Sequence, residues 1–254
     1  MRSKHFKLTG TAMLLALILI AGFVPMLGYI PIGAVKMTWI VVPVVIGALA
    51  FGLRSGVILS LAFAVTSLIQ VWYPGDWLGV QLMDISVWKT IAIIFIPRLL
   101  IPFVTVGFFR LLAGRLEIYI QMGLFMLFGA IALIDINQYW FLLIPAGLIA
   151  AAAAFFRRGW GGRINYAIAG MLGSLTNTVF FLGGVYVLFL GEPAFAAVAQ
   201  QMGTTISAIG AFLTAIALSN GVPEAILAFI LCGSILAVLE KLGYVDQPIR
   251  QENR

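Results

Sequence analysis

Long apolar stretches, interrupted by short polar or basic segments, extend through almost the whole chain. They cover residues 8–30, 37–51, 57–71, 87–112, 118–134, 139–156 and 164–190, and a last region at 204–242. Because ~20 helical residues cross ~30 Å of hydrocarbon, stretches of this kind are typical of transmembrane helices. The pattern predicts an all-α, polytopic membrane helix bundle with about eight crossings, provided that the last region crosses once.

The composition supports the same class of protein. Hydrophobic residues make up 63% of the 254 residues and charged residues only 9%, whereas a soluble domain is typically ~45–50% apolar and ~25% charged. Little of the chain remains for an extramembrane domain. We therefore expect residues 1–254 to form a single integral membrane domain.

Positive charge is concentrated in the short segments between the apolar stretches. Basic residues cluster at 2–7, 54, 110–115, 157–163 and in the C-terminal tail, with Lys36 and Lys89 as exceptions. This alternation is what the positive-inside rule predicts for cytoplasmic loops, and it explains the net charge of +6 without a nucleic-acid partner. We expect a multi-pass protein of the cell membrane, surrounded by the lipid bilayer, with both termini in the cytoplasm.

The N-terminal region is compatible with either a signal peptide or a first membrane helix. Basic residues precede an apolar stretch at residues 8–30, as in a signal peptide. The stretch is long enough to span and lacks a clear small-x-small cleavage site, which favours a retained helix. Within it, Ala12 and Ala16 form a small-x-x-x-small pair that permits close helix approach, although alanine is common in membrane helices.

A polar segment lies inside the apolar stretch at 164–190. Residues 173–180 (GSLTNTVF) include Thr176, Asn177 and Thr178. These side chains need hydrogen-bonding partners because hydrocarbon offers none. They either bond to neighbouring helices or line a cavity for a ligand.

A second polar segment divides the last apolar region. Residues 219–224 (SNGVPE) place Asn220 and Glu224 beside a glycine and a proline. A broken helix at membrane depth is tolerated where it lines a cavity. The alternative is an interfacial turn in which Glu224 begins a helix and satisfies free N–H groups.

Arg98 lies inside the stretch at 87–112, directly after Pro97. An arginine at this depth costs at least ~2.5–3.5 kcal/mol unless it snorkels, pairs or faces water. One interpretation is snorkelling or an internal pair with a carboxylate such as Glu224. The other is an anion anchor, because a guanidinium matches a carboxylate bidentately.

An aromatic and acidic segment follows the third apolar stretch. Residues 72–86 contain Trp72 and Trp77. Tryptophans in such positions are most often interfacial anchors. Because a loop here is also able to cover an outward-facing pocket, both remain candidate substrate-binding residues.

Residues that usually carry metal or nucleophilic chemistry are scarce. Cys232 is the only cysteine and His5 the only histidine, which argues against a disulfide, a cysteine-built metal site and a histidine base. A phosphate-binding loop of the type G-x-x-x-x-G-K-S/T does not occur. We expect no metal, no cofactor and no enzymatic activity.

Several segments occur in an order that is shared with a known family. They are residues 8–17 (LTGTAMLLAL), 31–33 (PIG), 43–48 (PVVIGA), 51–56 (FGLRSG), 97–100 (PRLL), 173–178 (GSLTNT) and 220–227 (NGVPEAIL). Together they resemble the substrate-binding S component of energy-coupling factor (ECF) vitamin transporters. The last two segments look most like the pantothenate-type branch.

The resemblance implies a membrane-embedded vitamin-binding protein. It would dock on a transmembrane coupling subunit driven by two cytoplasmic ATPase subunits, and release its substrate by toppling in the membrane. By similarity, Ala12 and Ala16 belong to the docking face and Arg98 and Asn177 to the pocket, which the loops after the first and third spans cover. The family has six spans, so residues 117–156 would be an inserted helical hairpin.

The leading hypothesis is uptake of a small carboxylate vitamin, pantothenate first. Arg98 would hold the carboxylate, and Asn177 with Asn220 would bond amide and hydroxyl groups. An S component for a different vitamin is one alternative, and a proton-coupled secondary transporter of an organic anion using Glu224 is another. An assembly subunit without any ligand is a further possibility.

Overall fold

The structure is a computed structural model, and it describes residues 4–24, 27–32, 35–72, 76–112, 123 and 163–245. The hairpin predicted at 117–156, apart from Gly123, lies outside the described residues. The same is true of the basic cluster at 157–162 and most of the C-terminal tail.

The described chain is an all-α bundle with one small β-hairpin. Its elements are α1 (Lys4–Phe23), β1 (Tyr29–Ile32), β2 (Val35–Thr38), α2 (Val41–Ala50), α3 (Leu53–Gln70), α4 (Trp77–Ile85), α5 (Val87–Leu112), α6 (Arg163–Phe189), α7 (Pro193–Gln201), α8 (Ile209–Ile216) and α9 (Val222–Lys241). A π-helical turn, Ala217–Gly221, joins α8 to α9.

In the part of the chain that the structure describes, five helical stretches are long and apolar enough to cross a membrane: His5–Phe23, Leu53–Gln70, Val87–Leu111, Ile164–Phe189 and Ile209–Lys241. The shorter apolar helix α2 is buried along its whole length. The predicted helical membrane bundle is therefore confirmed at this level. The number of crossings stays a prediction.

Helix α6 packs most extensively against α5 on one side and α9 on the other. Gly170 permits the second contact, because a Cβ atom there would lie 2.6 Å from Cys232 Cβ and 2.8 Å from the Ala228 carbonyl oxygen. Side chains on α6 are consequently held between those of α5 and α9.

The segment between α1 and α2 differs from the prediction of a loop followed by a helix from residue 37. Tyr29–Ile32 pairs with Val35–Thr38 as an antiparallel hairpin, with Tyr29 opposite Thr38. Aromatic and β-branched side chains favour strands, and the cross-strand bonds satisfy backbone groups that a loop would leave open. Hydrophobicity alone did not distinguish this strand pair from a helix start.

Two other segments are more regular than expected. The segment at 72–86 contains α4, whose first turn is capped because Asp76 Oδ1 accepts from Gly79 N at 3.0 Å. The expected break at 219–224 is a π-helical turn that keeps the chain helical from Ile209 to Lys241. A π-helical turn adds a residue to the helix and locally redirects its side chains, and such turns are frequent at functional sites.

Candidate functional site

One cavity collects polar side chains that are distant in the sequence. Its wall is formed by the hairpin, parts of α3, α4, α5 and α6, the π-helical turn and α9. The volume is about 70 Å³, enough for a few water molecules, since one needs ~10–15 Å³. Four formally charged side chains line it, Lys36, Asp76, Arg98 and Glu224.

The position of Arg98 is set by two prolines in α5. A proline has no N–H, so each leaves the carbonyl four residues earlier without its helical donor. The Ile93 carbonyl, freed by Pro97, accepts from Arg98 Nη1 at 3.2 Å. The Arg98 carbonyl, freed by Pro102, accepts from Ser60 Oγ of α3 at 2.6 Å. Pro97 therefore frees the carbonyl that binds the guanidinium, and Pro102 frees the Arg98 carbonyl that is hydrogen-bonded to α3.

The guanidinium lies between two aromatic rings. Arg98 Cζ is 5.5 Å from the centre of the Phe63 ring and 5.1 Å from that of Phe181. These distances are within the range of cation–π attraction. Arg98 is only 8% exposed, and its Nε has no hydrogen-bond partner among the described residues. Arg98, which lines the cavity, is thus a buried cation that keeps one unused hydrogen-bond donor.

Two buried side-chain amides also lack partners. Asn177 Oδ1 on α6 and Asn220 Oδ1 in the π-helical turn accept no hydrogen bond from the part of the chain that the structure describes. The turn and α6 approach closely, because a Cβ atom on Gly221 would lie 2.7 Å from Thr178 Cγ2. An unsatisfied buried acceptor costs about 1–3 kcal/mol, so a ligand or ordered water that supplied donors would be bound favourably.

Glu224 connects α9 to the hairpin. Its Oε1 accepts from Thr38 N at 2.6 Å, and both residues are buried. The bond joins β2 to the helix that follows the π-helical turn. A carboxylate accepts up to about four hydrogen bonds, so Glu224 retains capacity toward the cavity.

The hairpin is also hydrogen-bonded to α3. Tyr29 Oη lies 2.8 Å from Ser67 Oγ and 3.2 Å from Thr66 Oγ1. Lys36 Nζ donates to Gln70 Oε1 at 3.0 Å and to its carbonyl oxygen at 3.2 Å. These polar contacts hold the strands against the cavity.

Burial changes the titration of three groups outside the membrane-spanning segments. It raises the pKa of Tyr29, although the hydrogen bonds to Ser67 and Thr66 oppose this. It lowers the pKa of Lys36, against the attraction of Asp76. It raises the pKa of Asp76, against the hydrogen bond from Gly79. In each case burial makes the charged form less favourable than it is in water.

Most predicted site residues converge on this cavity. Five line it: Arg98, Asn177, Thr178, Asn220 and Glu224. Thr176, buried on another face of α6, donates to the Leu172 carbonyl at 2.7 Å and is not among the lining residues. Trp72 and Trp77, which are 67% and 37% exposed, do not line it either. Ala12 and Ala16 are exposed on α1.

Several lining residues were not predicted as site residues. Tyr29, Lys36, Ser67, Gln70 and Asp76 lie on the hairpin, at the end of α3 or at the start of α4. One signal was available, because Lys36 departs from the alternation of basic segments. The other such exception, Lys89, has a different explanation, since its Nζ is ion-paired with Glu192 and donates to the Leu188 carbonyl.

Comparisons with known proteins add no identification. No protein-family model matches the chain, and no curated protein shows significant similarity to it.

Proposed function

We propose that the chain is the membrane-embedded substrate-binding subunit of an ECF-type vitamin transporter, with pantothenate as the first candidate ligand. One observation carries the proposal. Arg98, Asn177 and Asn220 line one cavity in a bundle of apolar helices, and each has a buried side-chain polar atom without a hydrogen-bond partner among the described residues. Buried polar atoms without hydrogen-bond partners raise the free energy of the folded state unless a ligand or a water molecule bonds to them.

The carboxylate of the vitamin binds Arg98 in this proposal. The guanidinium is oriented by the Ile93 carbonyl and two aromatic rings. The Arg98 side chain therefore loses little conformational entropy when a ligand binds. Asn177 and Asn220 bond the amide and hydroxyl groups. A ligand without these groups leaves buried amides unpaired, which gives selectivity without covalent chemistry.

Ligand entry requires movement of the cavity wall. The volume of about 70 Å³ is well below the ~300–1,000 Å³ of typical ligand pockets. The hairpin is joined to α3 and to Glu224 by hydrogen bonds at Tyr29, Lys36 and Thr38. Breaking these bonds would open the cavity while the helices stay packed.

The exposed face of α1 suits the docking role. Ala12 and Ala16 lie on it beside Leu8 and Met13, both 70% exposed. Small residues permit close helix approach within a membrane. The partner would be the transmembrane coupling subunit with its two cytoplasmic ATPase subunits. In this arrangement both termini are cytoplasmic.

Mass spectrometry of the purified protein and direct binding with a panel of vitamins test the proposal. We expect pantothenate to be retained and to raise the melting temperature. Arg98→Ala should weaken its binding by at least about tenfold, because a hydrogen-bonded charge pair is worth ~1.5–3 kcal/mol. Arg110→Ala, in the same helix but exposed and outside the cavity, is the matched control. Equal affinity in Arg98→Ala and wild type would show that Arg98 is not the anchor.

The burial of Glu224 favours a second candidate function. A cavity-lining carboxyl group in an apolar helix is the group a proton-coupled carrier of organic anions requires. Uptake into vesicles that lack an ATPase partner, driven by a proton gradient and abolished by Glu224→Gln, would support this candidate. Uptake that depends strictly on an ATP-hydrolysing partner would support the first.

A further inference from the structure

Arg98 and Glu224 have side chains of formally opposite charge, and they line one cavity without pairing. Both are buried, yet among the described residues no nitrogen–oxygen contact within 4.0 Å joins them. Arg98 lies on α5 and Glu224 on α9, and α6 packs against both helices. A buried ion pair that stays open leaves both charges without their best partner.

The two walls offer different hydrogen-bonding chemistry. On α5, Arg98 is a pure donor, because a guanidinium carries five N–H groups and no acceptor. On α9, Glu224 is an acceptor already bonded to Thr38 N, and Asn220 Oδ1 precedes it in the π-helical turn without a partner among the described residues. The cavity therefore has a guanidinium donor on α5 and oxygen acceptors on α9 and in the π-helical turn.

We infer that Glu224, with Asn220, determines specificity by requiring hydroxyl or N–H donors at the end of the ligand opposite its carboxylate. This rests on the proposed function and adds a direction to it: the acid group faces α5, and the donor groups face α9 and the π-helical turn. A ligand without donors leaves Glu224 and Asn220 unpaired, which is costly for buried acceptors.

Three ligands with the same carbon skeleton test the carboxylate end and the hydroxyl end of the molecule separately. Pantothenate carries the carboxylate and two hydroxyls, pantothenol replaces the carboxylate by a primary alcohol, and N-(3,3-dimethylbutanoyl)-β-alanine keeps the carboxylate but lacks both hydroxyls. Dissociation constants are measured for the full-length protein in detergent. In the wild type we expect each altered probe to bind at least about tenfold more weakly than pantothenate, because each one leaves buried polar groups of the cavity without a partner.

Variants at Arg98, Glu224 and Asn220 show which side chain is responsible for each loss of affinity. In Glu224→Gln the loss of affinity on removing the hydroxyls from the ligand should be smaller than in the wild type. The loss of affinity on replacing the carboxylate, measured with pantothenol, should stay at its wild-type value. In Arg98→Gln the pattern should be reversed. Asn220→Ala leaves the Glu224 bond to Thr38 in place and should also reduce the hydroxyl penalty, so it replaces Glu224→Gln if that variant does not fold.

Each outcome is decisive. If the probe without hydroxyls binds the wild type as tightly as pantothenate, or if Glu224→Gln and Asn220→Ala leave its penalty unchanged, the inference is wrong while the proposed function stands. If none of the three probes binds the folded wild type, the pantothenate assignment fails and the inference fails with it.

Discussion

Ser60 Oγ donates a hydrogen bond of 2.6 Å to the carbonyl oxygen of Arg98, and both residues are buried. That carbonyl is available because Pro102 cannot supply the amide N–H that would normally occupy it. A hydroxyl on α3 thus replaces a missing backbone donor in α5. The replacement fixes α5 to α3 at the residue proposed to bind the ligand.

Replacing Ser60 by alanine should lower the free energy of unfolding by about 1–3 kcal/mol, because the buried Arg98 carbonyl would lose its donor. The Pro102→Ala background provides the control, since it restores an amide N–H to the same carbonyl and keeps the proline Cβ. Denaturant or thermal unfolding in detergent measures both effects. The explanation is wrong if Ser60→Ala costs as much in the Pro102→Ala background as in the wild type.

Pro97→Ala should affect binding and stability in opposite directions. The new amide N–H would occupy the Ile93 carbonyl and displace Arg98 Nη1 from it. We expect Kd for pantothenate to rise by about tenfold, equivalent to ~1.4 kcal/mol. The free energy of unfolding should rise, since a proline in a helix interior costs ~3 kcal/mol relative to alanine.

Pro193→Ala serves as the control for this effect. Pro193 is at the start of α7, where a proline is tolerated, and it does not line the cavity. This variant should leave Kd unchanged. A Pro97→Ala protein with wild-type affinity would mean that the Ile93 contact does not orient Arg98.

Gly170→Ala should destabilise the contact between α6 and α9. The added methyl group would lie 2.6 Å from Cys232 Cβ and 2.8 Å from a backbone oxygen, so a helix must shift. Overpacking of this kind costs about 1–3 kcal/mol. Gly183→Ala, in the same helix with nothing within 4 Å of the new atom, should be neutral or stabilising by up to ~1 kcal/mol. Equal melting temperatures for the two variants would contradict the packing explanation.

Alkaline pH should stabilise the fold through Lys36. Burial lowers its pKa below the ordinary 10.5, against the attraction of Asp76. Between the lowered value and 10.5 the unfolded chain binds more protons, so the free energy of unfolding rises with pH across that window. Measurements should stay below pH 10, because the raised pKa of Tyr29 gives the opposite slope above its ordinary value of 10.0.

Lys36→Met isolates this contribution in unfolding experiments. The variant should flatten the rise in stability with pH while keeping the aliphatic part of the side chain. A rise of the same size in Lys36→Met and wild type would assign the effect to another group.

The pattern of apolar residues along the sequence predicted the positions of several long helices. The apolar stretches at 57–71, 87–112 and 164–190 correspond to α3, α5 and α6 within a few residues. Hydrocarbon imposes both length and composition on a spanning helix, so the linear sequence carries this information. The hairpin at 29–38 was not predicted, because its strands are as apolar as a helix start and their pairing depends on partners across the turn.

The sequence by itself also selected the polar residues that hydrocarbon cannot satisfy, among them Arg98, Asn177 and Glu224. Only the tertiary structure decided which of them share a cavity: Asn177 lines it with Arg98 and Glu224, while Thr176, one residue away, bonds to its own helix. Neighbours on a helix point in different directions. The packing of α6 between α5 and α9 then decides which direction faces the cavity. The free-energy cost of burying a polar side chain depends on the residue itself, so the sequence shows it. Which of these side chains share a cavity depends on how the helices pack.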